Sequence, residues 1–315
     1  MVNYLLAQDE QRELAKGARD ILDAQLAPRV LELDKSGTFP LDVFHVLADA
    51  GYHGLDIPEK WGGLGLDKKT ACLVYEEMAK VDGGFSLSFA ISAKQWTKVA
   101  ATHWSDDEKR AFIEKIIAGE KIGAFCLTEP DAGSDASACT ANAVQDGDDW
   151  IINGRKTFIT NGPIADYFLV IVWTDKSKSS GKGMTQFFVD AKTPGVSIGK
   201  AEDKMGLRLS ATSDVIFEDV RVPSKNVVGD IGKGLVFGMQ ELAAARITNM
   251  CHVLGIAQAA LDYAVDFSKV RKTFGKRIAD HQGFGFMLAD MQFKLDAARA
   301  LLYYGLDCAA AGLDV

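Results

Sequence analysis

The segment Cys126-Leu127-Thr128-Glu129-Pro130-Asp131-Ala132-Gly133-Ser134-Asp135 carries hydroxyls, carboxylates, a proline and a glycine directly after strand-like apolar residues. That combination builds a loop whose backbone N–H groups and hydroxyls converge on an anionic or carbonyl-rich ligand. In isolation, Thr128-Glu129-Pro130 or Gly133-Ser134-Asp135 would read more simply as a turn. A second stretch, Lys156-Thr157-Phe158-Ile159-Thr160-Asn161-Gly162, has the pattern of a strand running into an Asn-Gly turn. A third, Arg271-Lys272-Thr273-Phe274-Gly275-Lys276 followed by Gln282, is a basic cluster of the kind that is usually solvated surface. Arg246 stands among small residues in mid-helix, where a snorkelling or salt-bridged arginine is the plain reading. Gly232-Lys233-Gly234 with Gly238 fits neither a dinucleotide fingerprint nor a P-loop and reads as a connection. His45, His53, His103, His252 and His281 show no metal-ligand spacing, so no metal is expected.

These groups need a scaffold, and a chain of 315 residues is long enough for two or three packed units with large cores. Apolar residues at 48% and charged residues at 25% are ordinary for a globular protein. The net charge of −8 disfavours nucleic acid or an anionic membrane as the main partner, since either needs a basic surface. Cys72, Cys126, Cys139, Cys251 and Cys308 form neither CxxC nor CxxH pairs, so reduced thiols fit better than disulfides or structural zinc. No apolar run approaches the roughly 20 residues of a membrane helix. Helical signal begins close to Met1, which reads as leaving no room for a targeting peptide. The expectation is a soluble protein of the cytoplasm, or of the mitochondrial matrix in a eukaryote.

The periodicity changes twice along the chain. From Gln8 to about Ile122 it is helical, with Leu14, Ala18, Ile21 and Leu22 on one face and Ser105-Asp106-Asp107-Glu108 as a capping box. From Gly123 short β-rich runs follow one another: Trp150–Gly154, Tyr167–Trp173, Met184–Val189 and Ser213–Phe217. From Leu235 helical spacing returns, with one long helix expected over Met239–Ala264 and another over Gly285–Ala311. The expected α+β architecture is an N-terminal all-α domain over 1–122, a middle β-barrel over 123–232 and a C-terminal helical bundle over 233–315. With two long helices present, that bundle reads as incomplete.

The three motifs, in this order and spacing, resemble the signatures of the acyl-CoA dehydrogenases, flavoenzymes that desaturate thioesters. The resemblance covers essentially the whole chain. It implies FAD bound along the first motif, with Phe125 and Leu127 offering backbone groups to the isoalloxazine and Thr128 a hydroxyl near its pyrimidine edge. Ser134 would meet the CoA portion of the substrate. Phe158, where family members often carry Trp, would cover one side of the flavin, and the Thr160 hydroxyl would sit close to N5, the hydride acceptor. Arg271, with Thr273 and Phe274 in the same motif, would reach the pyrophosphate of a flavin bound mainly by a neighbouring subunit, which implies an oligomer, a tetramer. Gln282 would help on the adenosine side. Arg246 would lie beside the CoA chain, with Ala243 where an aspartate is common. Arg208 is kept as structural.

The implied reaction is α,β-dehydrogenation of an acyl-CoA: a carboxylate removes the α-proton, the β-hydrogen leaves as hydride to the flavin, and electrons pass to an electron-transfer flavoprotein. Most members of the family place that carboxylate beyond the position corresponding to Val315, and a minority at the position of Ala245. The resemblance therefore implies that two or three helices of ~15–20 residues are missing. Three readings stay open: a C-terminally truncated dehydrogenase, a base-less relative that does other flavin or thioester chemistry or only binds flavin, and substitution by Glu241, one turn before Ala245. An oxidase that passes electrons directly to oxygen is a further alternative.

Overall fold

The computed structural model describes residues 8–313. Among the described residues seven helices precede the sheet: α1 Asp9–Gln25, α2 Val30–Ser36, α3 Leu41–Asp49, α4 Lys68–Ala79, α5 Gly83–Ala93, α6 Trp96–Ala100 and α7 Asp106–Ile117. The expected capping box starts α7: the Glu108 N–H donates to Ser105 Oγ at 3.2 Å, and the Ser105 N–H to Glu108 Oε2 at 2.9 Å. Eight strands follow: β1 Gly123–Cys126, β2 Asn142–Asp146, β3 Asp149–Thr160, β4 Tyr167–Trp173, β5 Met184–Asp190, β6 Val196–Ile198, β7 Thr212–Pro223 and β8 Val227–Val228. The chain then runs through α8 Gly234–Thr248, α9 Met250–Val270, a hairpin of β9 Lys272–Thr273 and β10 Lys276–Arg277, and α10 Gln282–Ala310. Among the described residues no helix is long and apolar enough to cross a membrane, and no cluster of His, Cys, Asp and Glu could hold a metal.

The sheet runs in the order β6-β7-β3-β2-β4-β5-β8, with β1 pairing parallel to β4. It is a curled but open sheet, not the closed barrel expected. The end strands β6 and β8 are only 3 and 2 residues long, and β6 pairs with β7 while β8 pairs with β5. The free side of β8 is covered instead, Val228 forming a bridge to Thr102. Large rings fill the curl: Phe168 and Phe217 lie 6.2 Å apart, Trp150 and Phe187 5.5 Å. β4 is buried along its whole length, and its side chains alternate as a pleated strand requires. Phe168, Val170 and Val172 enter the curl, while Tyr167 and Leu169 pack outward on Val99, Ile113 and Ile116 of α6 and α7.

By contacts the chain forms two compact units. One comprises 32–66 and 88–243, the other the described residues of 1–31, 67–87 and 244–315. In the second unit Arg299, 1% exposed, gathers α4, α9 and α10 by donating to Glu76 Oε1 (2.9 and 3.0 Å) and to Gln258 Oε1 (3.0 Å). A buried guanidinium persists only when its donors are so matched. The single helix expected over Met239–Ala264 is broken at Asn249 into α8 and α9. There the His252 N–H reaches back only three residues, to Asn249 O, and the Thr248 hydroxyl donates to Ala245 O at 3.4 Å. Such local bonds compete with the i→i−4 ladder and bend a helix.

Candidate functional site

The first motif leaves the sheet at the end of β1, and the second is the last part of β3; the fold brings them side by side. The Thr157 N–H donates to Thr128 O at 2.9 Å. Beneath that bond lies a buried ion pair, Lys156 with Glu129, 2.8 Å apart and 0% and 4% exposed at the side chains. Lys156 Nζ also donates to Leu127 O at 3.0 Å. Glu129 accepts from the Thr140 N–H (2.6 Å), the Thr140 hydroxyl (2.9 Å) and the Ala141 N–H (3.1 Å). Burial opposes ionisation of Glu129, but Lys156 and the Thr140 donors outweigh it and hold its carboxyl below the ordinary range. The pair fixes both ends of the loop from Leu127 to Ala141. Composition marks neither residue as more than a turn acid and a strand lysine, so this clamp was missed from sequence.

β3 carries an irregularity between Lys156 and Ile159, where its pairing with β7 shifts register. Phe158 sits at this bulge with φ 56° and is 66% exposed. A bulge re-aims a side chain out of the alternation, and a positive φ on an aromatic residue is a strained state found where function requires it. The strand ends at Asn161, also at positive φ (66°) and fully buried. Its Nδ2 donates to Ser88 O (3.1 Å) and Gly123 O (3.3 Å), Ser88 Oγ donates to its Oδ1, and its N–H donates to Ala211 O (2.7 Å). The Asn-Gly turn read from the sequence thus ties the end of β3 to the start of β1.

The neighbouring hydroxyls divide into two sets. Those of Ser88, Ser137, Thr140 and Thr174 are bonded to protein groups. The hydroxyls of Thr128, Thr160 and Ser134 bond to no described protein group, although Thr128 and Thr160 are half-buried and Ser134 is exposed. Phe125 is half-buried and Leu127 buried. Together they present unspent donors and one exposed ring on a rigid frame, which suits a flat heterocycle edged with acceptors. Isoalloxazine is such a group, so FAD fits the residues present.

Glu241, on α8, is half-exposed and faces Lys98 Nζ at 3.8 Å. The remaining candidates belong to the other compact unit. Arg246 is exposed on α8. Thr273 and Phe274 belong to the β9–β10 hairpin, whose two turn residues, Phe274 (φ 52°) and Gly275 (φ 79°), both take positive φ, as a type I′ turn demands. Phe274 is 98% exposed, and Gln282 is the first residue of α10. Arg277 is bonded to Asp280, whereas the guanidiniums of Arg271 and Arg246 make no bond or ion pair with any described residue. A guanidinium left without a partner suits bidentate recognition of phosphate.

Three family models match along the chain: the acyl-CoA dehydrogenase N-terminal domain over 8–120, the middle domain over 124–220 and the C-terminal domain over 232–314. The chain belongs to the acyl-CoA dehydrogenase family. It is 41% identical to 3-(aryl)acrylate reductase of Clostridium sporogenes over 95% of this chain and 80% of that protein. It is 40% identical to the caffeyl-CoA reductase-Etf complex subunit CarC of Acetobacterium woodii, over 94% of this chain and 78% of that protein. The structure of butyryl-CoA dehydrogenase from Megasphaera elsdenii superposes with a TM-score of 0.92 at 38% identity, covering 98% of this chain and 81% of that one.

Proposed function

We propose that this acyl-CoA dehydrogenase family member is an FAD-dependent oxidoreductase acting on the α,β carbon–carbon bond of an acyl-CoA thioester and exchanging electrons with an electron-transfer flavoprotein. One observation carries the reading: Thr128, Thr160, Ser134, Arg246 and Arg271, chosen from sequence as ligand-binding, have no protein partner for their side chains among the described residues. Bound FAD supplies hydride acceptance at its N5 atom. In this reading the backbone of Phe125 and Leu127 and the Thr128 hydroxyl hold the pyrimidine edge, at positions set by the Lys156–Glu129 clamp. Phe158 covers the ring and excludes water from one face, and the Thr160 hydroxyl hydrogen-bonds near N5. Ser134 and Arg246 hold the CoA arm. Arg271 pairs with the pyrophosphate, Thr273 and Phe274 shape the same hairpin, and Gln282 serves the adenosine side. We infer a homo-oligomer, a tetramer, working in the cytoplasm.

Glu241 is the one carboxylate of this chain offered for the α-proton. At 51% exposed it is wetter than a base for a weakly acidic C–H should be, because a dry carboxylate gains basicity. Two similar proteins are named as reductases, which favours the hydrogenating direction as a second reading.

The test is anaerobic titration of the yellow protein with saturated acyl-CoA and, after reduction, with the α,β-unsaturated thioester. Bleaching by the first, or recolouring by the second, supports the reading and assigns the direction. A protein that retains FAD but responds to neither thioester refutes it. Unchanged bleaching in Glu241→Gln removes Glu241 as the base.

A further inference from the structure

One buried charge lies outside every role assigned above. Lys98, on α6, is 7% exposed, yet its only ionic partner among the described residues is Glu241 at 3.8 Å, too far for a hydrogen bond. The Glu241 side chain is 51% exposed, so water screens most of its effect on the ammonium. Burial pulls the Lys98 ammonium below the ordinary lysine range, and Glu241 opposes that pull. Lys156, the other buried lysine of this unit, differs because Glu129 holds it at 2.8 Å. Lys98 therefore leaves net positive potential inside the protein.

That potential is placed by packing. Phe125, on the outward face of β1, packs on the same core cluster as Trp96 and Ala100, which flank Lys98 on α6, and on a second cluster that also receives Leu242, the neighbour of Glu241 on α8. One turn before Glu241, Gly238 comes so close that a Cβ would stand 2.6 Å from Ile171 Cδ1 and 3.5 Å from the Phe125 ring. The Lys98–Glu241 pair thus links α8, which approaches Phe125 at Gly238, to α6, which shares a core cluster with Phe125.

We propose that Lys98 is an electrostatic tuning residue that raises the reduction potential of a flavin bound along β1, with Glu241 orienting the ammonium and damping its field. The inference rests on the flavin reading above. Reduction places negative charge on the isoalloxazine, and a cation in a low-dielectric surrounding stabilises that charge more than it would in water.

The experiment is the reduction potential of FAD in the substrate-free holoprotein, measured by equilibration with a reference dye for wild type, Lys98→Met, Lys98→Arg and Glu241→Gln. In Lys98→Met the reduced-to-oxidised ratio at fixed potential should fall about tenfold, a shift of about 30 mV for a two-electron couple. Lys98→Arg should stay near wild type. Glu241→Gln should shift the opposite way, because it removes the damping charge; a merely structural pair would not give shifts of opposite sign. If Lys98→Met does not fold, the upward shift in Glu241→Gln decides alone. An unmoved potential in both, or shifts of the same sign, overturns the proposal while leaving the flavin reading intact. Wild-type protein that takes up no FAD overturns both.

Discussion

Replacing Lys156 by Met exposes how the site is held. The substitution removes a 2.8 Å ion pair and the 3.0 Å hydrogen bond to Leu127 O, both fully buried, and leaves the Glu129 carboxylate without its cation. Breaking one side of a buried pair costs about 3–5 kcal/mol. Here Glu129 keeps three donors from Thr140 and Ala141, so we expect the low end, about 3 kcal/mol. Adding Glu129→Gln removes the stranded charge, and the double variant should recover about 1–2 kcal/mol relative to the sum of the single ones. All 5 tryptophans lie in the unit formed by 32–66 and 88–243, so tryptophan fluorescence in a urea titration reports on this unit. The pH dependence has a definite sign: a carboxyl lowered in the fold stabilises above its unfolded value of about 4.3 and loses that contribution as pH falls through the folded value. Acid should therefore destabilise wild type more than the double variant. A cost below about 1 kcal/mol for Lys156→Met, or additive single costs, would refute the clamp.

Other outcomes follow from single side chains. His53, fully buried beside Phe44 and Phe89, has its imidazole lowered to about 4, chiefly by burial. Stability should thus fall as pH drops from about 6.5 towards that value, by on the order of 3 kcal/mol, and level off below it, with His53→Phe flattening this part of the profile. Arg271→Met should weaken FAD retention by about 1.5–3 kcal/mol at an unchanged urea midpoint, because the side chain bonds to nothing in the described protein; equal retention in spin-filtration assays would count against the phosphate role. Phe158→Gly should relieve the φ of 56° and so keep or raise stability while lowering FAD affinity. Asn161→Ala, which strands Ser88 and forces Ala into positive φ, should cost about 2–4 kcal/mol in the same titration.

Much of the fold was legible because local signals agreed with tertiary demands. The apolar run at Tyr167–Trp173 is a strand buried on both faces, and the Ser105 box starts α7 as its spacing requires. The candidate ligand-binding residues Thr128, Ser134, Thr160 and Arg271 could be picked out because they lie within recognisable motifs. Less legible was whether each polar group is spent inside the protein or left for a ligand, because that depends on residues distant in the chain. Lys156 is drawn inward by Glu129, 27 residues away, whereas Arg271, in an equally basic stretch, finds no side-chain partner among the described residues. The break at Asn249 was hidden for a similar reason: the run Met239–Ala264 has the composition of one helix, and it is interrupted where the Thr248 hydroxyl and the His252 N–H each bond three residues back.

Residue order settled what short-range physics controls: strand alternation, helix caps and turn positions. Tertiary packing alone decided that the sheet stays open, since closure depends on strand lengths at two edges far apart in sequence. It alone decided that Phe158 turns outward at a bulge, a consequence of register against β7 rather than of its neighbours in the chain. It also set Lys98 against a poorly matched carboxylate from another helix, where the low dielectric of the interior, and not the residue's type, gives that charge its reach.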